Sequence, residues 1–293
     1  MSERAHRGTI FLEDAAILSH EAHPGDQHVL VVRAPRAART ATPGTFAHLQ
    51  CDASVPLRRP LSIMRADPQA GTLEFLYKPV GKGLAKLAAR RPGETLSVLA
   101  PIGRGFALAE DREIALGIGG GVGIPPMIFL ADRLRARRGI RQIVLMGSEV
   151  PFPFELVRSD LPYAADADDA THAVRLLEDW AVTSRLASNA GLPGCYRGYV
   201  TGLARIWLAE QSPATLAATQ VFACGPEPML AAVAALAREF EVPCQLALEE
   251  YMACGVGGCA GCTVRVQTPA GPAMKRVCVD GPVFDARDVY PAA

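Results

Sequence analysis

The chain has 293 residues, enough for two or three domains that each bury a core of their own. Lys plus Arg and Asp plus Glu number 30 each, so no net field draws the protein to nucleic acid or an anionic membrane. The longest apolar stretch, residues 114–131, holds five glycines and two prolines and would make a poor membrane helix.

The N-terminal sequence MSERAHRGTI lacks the apolar core of a signal peptide. Residues 8 to about 106 read as β structure, with short runs at 27–33, 61–64, 72–77 and 95–99 between Pro and Gly turns. A helical period begins only at 84–89. This pattern predicts a small antiparallel β-barrel over 1–108.

Two segments of this region carry candidate chemistry. Arg59-Pro60-Leu61-Ser62 starts a barrel strand. Its arginine offers a planar charged fork for a pyrophosphate, and its serine can hydrogen-bond a flavin ring nitrogen. Fourteen residues after Ser62 come Leu76-Tyr77-Lys78, and then Gly81-Lys82-Gly83-Leu84 opens a helix whose first amides can bind an anion. Alone, each is an ordinary loop or surface motif. In this order, and followed by Pro101-Ile102-Gly103-Arg104-Gly105-Phe106, they suggest a flavin site.

From about residue 110 the pattern changes. A strand at 113–118 runs into the glycine turn Gly119-Gly120-Gly121-Val122-Gly123, and a helix is expected over 126–138. Two prolines open that helix, four arginines fill its final turns and Gly139 ends it. Further strands at 142–147 and 220–223 and a helix at 226–240 predict a doubly wound parallel sheet over 109–241. The glycine turn can admit a pyrophosphate close to the main chain, or can serve packing alone. Cys224-Gly225-Pro226 follows the last parallel strand, where open α/β sheets bind ligands, so Cys224 is a candidate for the nicotinamide pocket. A cysteine there can equally be a small core residue. Residues 151–195 give little signal.

The segment 242–293 carries Cys254, Cys259, Cys262 and Cys278, separated by four, two and fifteen residues. That is the plant-type [2Fe–2S] spacing, with glycines at 255, 257, 258 and 261 that let backbone amides wrap an inorganic core. A structural zinc site also takes four thiolates, but more often pairs two C-x2-C knuckles. The remaining cysteines, Cys51, Cys195, Cys224 and Cys244, form no framework. Thiolate ligation suits a reducing compartment, so the expected location is the cytoplasm.

Together these motifs resemble the ferredoxin–NADP reductase superfamily, and more closely the electron-transfer subunit of the NAD-linked, heteromeric dihydroorotate dehydrogenase. The resemblance runs from about Arg58 to Val289 and is most specific at Leu248-Glu249-Glu250-Tyr251-Met252-Ala253-Cys254-Gly255-Val256-Gly257 and at Val277 to Phe284. It implies FAD contacts at Arg59, Pro60, Leu61, Ser62, Leu76, Tyr77, Lys78, Gly83 and Leu84, and cluster ligation by the four cysteines. NAD(H) as substrate would lie at Gly119, Gly120, Gly121, Gly123, Cys224, Gly225 and Pro226. The implied partner is an FMN-containing dihydroorotate dehydrogenase catalytic subunit, in a complex with two copies of each chain.

The departures from the family pattern are local. Leu84 replaces a hydroxyl residue, Ala100 a glycine, and Ser188-Asn189-Ala190-Gly191 an Asp-Asp-Gly-Ser stretch. Nearby Ser184-Arg185 could accept a 2′-phosphate, which weakens the choice of NAD over NADP without reversing it. The sequence leaves two alternatives open: a reductase serving a ferredoxin, hydrogenase, sulfite reductase or oxygenase, and an electron-transfer adaptor without nicotinamide binding. The glycine turn and Cys224-Gly225-Pro226 argue against the adaptor.

Overall fold

The first strand, β1 (Phe11–His23), is long enough to pair along one end with β2 (Gln27–Arg33) and along the other with β6 (Thr95–Ile102), and this closes a barrel. With β3 (Phe46–Gln50), β4 (Arg59–Asp67) and β5 (Thr72–Tyr77), the strand order is β1-β2-β5-β4-β3-β6, antiparallel throughout. Alternate side chains, among them Leu30, Val32, Leu49, Ile63, Leu73, Phe75, Leu96 and Val98, point inward and are at most 1% exposed. Each such side chain contributes about 1.5–3 kcal/mol of burial. Two short helices, α1 (Pro35–Thr40) and α2 (Gly81–Ala88), sit outside the strands. The computed structural model describes residues 9–164, 167 and 169–292. Residues 1–8, read above as lacking a signal-peptide core, lie outside the described residues.

The second half is a doubly wound sheet. Its elements are β7 (Ile114–Gly120), α3 (Ile124–Leu134), β8 (Arg141–Gly147), β9 (Leu156–Arg158), β10 (His172–Val174), α4 (Arg175–Asp179) and β11 (Thr183–Ala187). They continue with α5 (Val200–Ala209), α6 (Pro213–Ala217), β12 (Thr219–Cys224), α7 (Glu227–Glu239) and β13 (Cys244–Ala247). The last elements are the hairpin β14 (Thr263–Thr268) and β15 (Gly271–Arg276), then β16 (Val283–Asp285) and α8 (Ala286–Val289). The sheet runs β11-β8-β7-β12-β13-β16, parallel except for β16. Between β8 and β11, a stretch with little sequence signal, β9 and β10 form a small antiparallel ladder.

Two expectations shift. Helix α3 ends at Leu134, four residues short of Arg138, and Arg135 bonds Asp132 and stacks on Trp180 at 4.5 Å. Gly139, at φ +82°, then turns the chain into β8 rather than capping the helix. Strands β13 and β16 come from the segment expected to form the cluster module, yet they complete the nucleotide-domain sheet. Only long-range pairing shows this, because a four-residue and a three-residue strand carry almost no sequence period.

Barrel and sheet are joined by an apolar cluster. Met64 and Leu76 from the barrel meet Ile124, Met127 and Ile128 of α3, with Phe222 and Cys224 of β12. Among the described residues, no helix is long and apolar enough to cross a membrane.

Candidate functional site

The flavin motifs meet on one side of the barrel. Arg59 opens β4 and its guanidinium lies against α2, where a Cβ on Gly83 would come within 2.6 Å of Nε. Arg59 Nη1 is held by the carbonyls of Leu57 and Arg58 at 2.9 and 3.3 Å, which aims the rest of the fork outward. Gly81, at φ +75°, bends the chain into α2, whose third residue, Gly83, lies under the arginine, so the helix start and the cation are close together. Pro60 and Ser62 remain partly exposed on β4. Ser62 stands beside the interdomain cleft, since its neighbour on the same strand face, Met64, packs with α3.

Other predicted FAD residues are placed differently. Leu61, Leu76 and Tyr77 are 7%, 3% and 1% exposed. The Tyr77 hydroxyl bonds His20 Nε2 at 2.8 Å, and its ring stacks on His28 at 5.4 Å. The side chains of Leu76 and Tyr77 thus face the protein interior and leave only the strand backbone to meet a ligand. Lys78 is partly exposed beyond the strand, and Leu84 packs partly on the barrel core.

The glycine turn and the Cys224 turn lie side by side at the carboxyl edge of the sheet, because Gly119 is the register partner of Cys224. Their packing is close enough to account for most of the glycines. A Cβ on Gly123 would overlap the Cys224 carbonyl, and one on Gly120 or Gly225 would lie 2.5 Å from Met229. Gly121 has open space around it but takes φ +56°. Cys224 itself is 1% exposed, and burial, then the nearby Glu249 carboxylate, pushes its thiol well above the ordinary range. It is a neutral, small side chain at the domain junction. The Glu249 carboxyl is itself raised by desolvation.

Ser184-Arg185 does not form a phosphate site. Ser184 is fully buried, and Arg185 Nη1 bonds Ser159 Oγ and the Ser184 carbonyl at 2.7 Å. Its Nη2 bonds the Leu161 carbonyl, and its guanidinium lies 5.5 Å from the Tyr163 ring centroid. The residue that the sequence offered for a 2′-phosphate is spent on holding β11 to the preceding loop. At the carboxyl edge, Asn189 instead bonds Glu149 Oε1 at 3.3 Å, just past β8.

The cysteine loop runs from β13 to β14. Val256 N and Cys259 N donate to Cys254 Sγ at 3.5 and 3.4 Å, and Gly261 N donates to Cys259 Sγ at 3.4 Å. Burial opposes ionisation of Cys254, but these amides outweigh it and bring the thiol to about 7. Cys262 and Cys278 Sγ lie 3.3 Å apart. Cys262 and Cys278 thus form a close pair, while Cys254 and Cys259 accept backbone amides, a donor set of the kind a [2Fe–2S] core takes. Gly255 (φ +67°) and Gly257 (φ +80°) turn the loop, and Arg276 Nη1 ties the Gly257 carbonyl at 3.0 Å. These residues fit a [2Fe–2S] cluster.

The loop is seated on the barrel. Cys262, Cys278 and Val277 share an apolar cluster with Phe46 of β3 and Ile102 of β6. Sequence reasoning missed His48, on the same face of β3. It lies in a five-residue strand, and what surrounds it comes from chain segments far away in sequence.

A family model for the iron–sulfur cluster binding domain of dihydroorotate dehydrogenase B matches residues 249–290. Over 252 residues the chain is 37% identical to the dihydroorotate dehydrogenase B (NAD(+)) electron transfer subunit of Bacillus caldolyticus, covering 84% of this chain and 86% of that one. The corresponding subunit of Geobacillus sp. (strain WCH70) is 32% identical over 281 residues, covering 94% and 98%. In fold the chain is similar to an NADH-dependent reduced ferredoxin-NADP oxidoreductase, with TM-score 0.73, 24% identity and coverage of 94% and 90%. It is also similar to phthalate dioxygenase reductase, with TM-score 0.57, 17% identity and coverage of 90% and 76%.

Proposed function

The chain belongs to the family of dihydroorotate dehydrogenase B electron transfer subunits, and from that premise we propose that it carries electrons from a dihydroorotate-oxidising catalytic subunit to NAD+. The observation that carries this reading is the position of β3. Phe46 is the cross-strand partner of Ser62 in the flavin motif, and it packs in the same apolar cluster as Cys262 and Cys278. One pair of adjacent strands therefore separates the flavin groove from the cysteine loop. When bound, FAD exchanges a hydride with nicotinamide and single electrons with the [2Fe–2S] cluster.

Each group of residues has a task in this scheme. Arg59 and the start of α2 hold the pyrophosphate, and Ser62 orients the ring from the cleft. Cys254, Cys259, Cys262 and Cys278 ligate the irons. The glycine turn and the start of α7 form a floor for NAD(H), and Cys224 keeps the nicotinamide side of the junction small and uncharged. With Arg185 engaged elsewhere, the carboxylate of Glu149 at the end of β8 supports NAD over NADP, since acidic groups at such a strand end accept the ribose hydroxyl. Thiolate ligation supports a reducing, cytoplasmic location.

The cluster end is the docking end. Tyr251 and Val256, within three residues of the ligand Cys254, are 94% and 51% exposed, which leaves apolar surface on the cysteine loop for a protein partner. The partner is the FMN-containing catalytic subunit, in a complex with two copies of each chain. Co-expression with that subunit tests the reading: a stable complex should reduce NAD+ with dihydroorotate. Separate elution with no such activity would remove the dihydroorotate assignment and leave only a general reductase.

A further inference from the structure

His48 is 0% exposed, and neither ring nitrogen has a hydrogen-bond partner among the described residues. A buried imidazole orphaned at both nitrogens is rare in folded proteins and points to a partner that the protein chain does not supply. The Nδ1–Cε1 edge of the ring is pressed against the cysteine loop. A Cβ on Gly255 would lie 2.7 Å from Nδ1 and 2.9 Å from Cε1, so only glycine permits the approach. Gly255 directly follows the ligand Cys254.

The surroundings say which cofactor the ring serves. His48 contacts Phe46 edge-on, 6.1 Å between centroids, and Phe46 packs with Cys262 and Cys278. On the neighbouring strand the flavin motif stays open, since Arg59, Pro60 and Ser62 are all partly exposed while His48 is sealed. A ring closed off from the flavin groove and laid against the cysteine loop belongs to the cluster side. A neutral imidazole carries one N–H, free to donate here because neither ring nitrogen is bonded by the described residues.

We propose that His48 is a positioning residue for the cluster: its Nδ1–H donates a hydrogen bond to a cluster sulfur across Gly255 and raises the cluster's reduction potential. The proposal rests on the cluster assignment made above. The reduced cluster carries more negative charge and accepts this bond more strongly than the oxidised one, so the bond favours reduction.

The test uses the full chain loaded with cluster and flavin. With 15N-labelled histidine, pulsed EPR of the reduced cluster should show coupling to a ring nitrogen, and the coupling should vanish in His48→Leu. His48→Leu should shift the cluster equilibrium about tenfold towards the oxidised form, 59 mV for a one-electron couple, and leave the flavin potential in place. His48→Asn, which keeps an N–H donor near the Nδ1 position, should recover most of the shift. A labelled wild-type spectrum without nitrogen coupling overturns the proposal even if the variants fail to load. So does a shift of the flavin potential instead, or an asparagine variant that behaves like leucine. Iron and sulfide content separates the two levels: protein that binds no cluster overturns both this proposal and the reading beneath it.

Discussion

The guanidinium of Arg59 lies across the backbone of Gly83, with Nε 2.6 Å and Cζ 3.0 Å from where a Cβ would stand. A strand and a helix from different parts of the barrel thereby fix one cation beside a helix start. Gly83→Ala should displace the flexible end of the arginine, not the fold. Flavin affinity should fall while thermal stability barely changes, as read by flavin fluorescence titration and a melting curve.

Removing the cation itself is the stronger version. Arg59→Ala should weaken FAD by about 1.5–3 kcal/mol, the worth of a charge-assisted hydrogen bond. Unchanged flavin content would make Arg59 a surface residue. Leu84→Thr restores a hydroxyl beside the same helix, and FAD should bind more tightly or equally well. Because Leu84 packs partly on the barrel core, about 1 kcal/mol of stability should be lost.

The four ligands should not respond alike. Cys259 is exposed, so Cys259→Ser should abolish the cluster and leave flavin bound. Cys278 is 2% exposed within the apolar cluster shared with Phe46 and Ile102, so Cys278→Ser should lose the cluster and also destabilise the barrel by roughly 1–3 kcal/mol. Iron, sulfide and FAD analysis with urea unfolding checks both. Zinc without iron in anaerobically prepared protein would refute the cluster assignment.

Stopped-flow reduction by NADH should be slower in Cys224→Ala, with flavin affinity little altered. An equal loss of fold and flavin would mean that the residue serves the core alone. Arg185→Ala should lower stability by about 1.5–3 kcal/mol through the loss of its buried bonds, with no change in the NADH to NADPH ratio. A preference for NADPH above tenfold, about 1.4 kcal/mol, would contradict the NAD reading.

Acid stability should report on His48. Its folded pKa is depressed to about 4 by burial and by Arg58 and Arg59, against an ordinary value of 6.5. In protein stripped of its cluster, the neutral ring's contribution is therefore complete above 6.5 and is lost as pH falls through about 4, an acid-limb loss of roughly 3 kcal/mol. His48→Leu should flatten that limb in urea titrations between pH 7 and 4. An identical slope in both proteins would show that the ring does not titrate there.

The cluster was legible in the sequence because ligation is local: Cys254, Cys259 and Cys262 fall within nine residues, and the glycines that wrap the core lie between them. The barrel strands from Gln27–Arg33 and Thr72–Tyr77, the glycine turn and the α7 period were legible for the same reason, since each is a pattern over a few neighbours. What only the tertiary structure decided involves partners far apart in the chain. Arg185 looked free for a phosphate until the fold brought Ser159 and Leu161 to it. The short strands β13 and β16 joined the sheet through pairings with no local signature. His48 gained its meaning from Gly255, about two hundred residues away. A local pattern selects dihedrals and ligand geometry, whereas the satisfaction of a buried polar group depends on which distant surface closes over it.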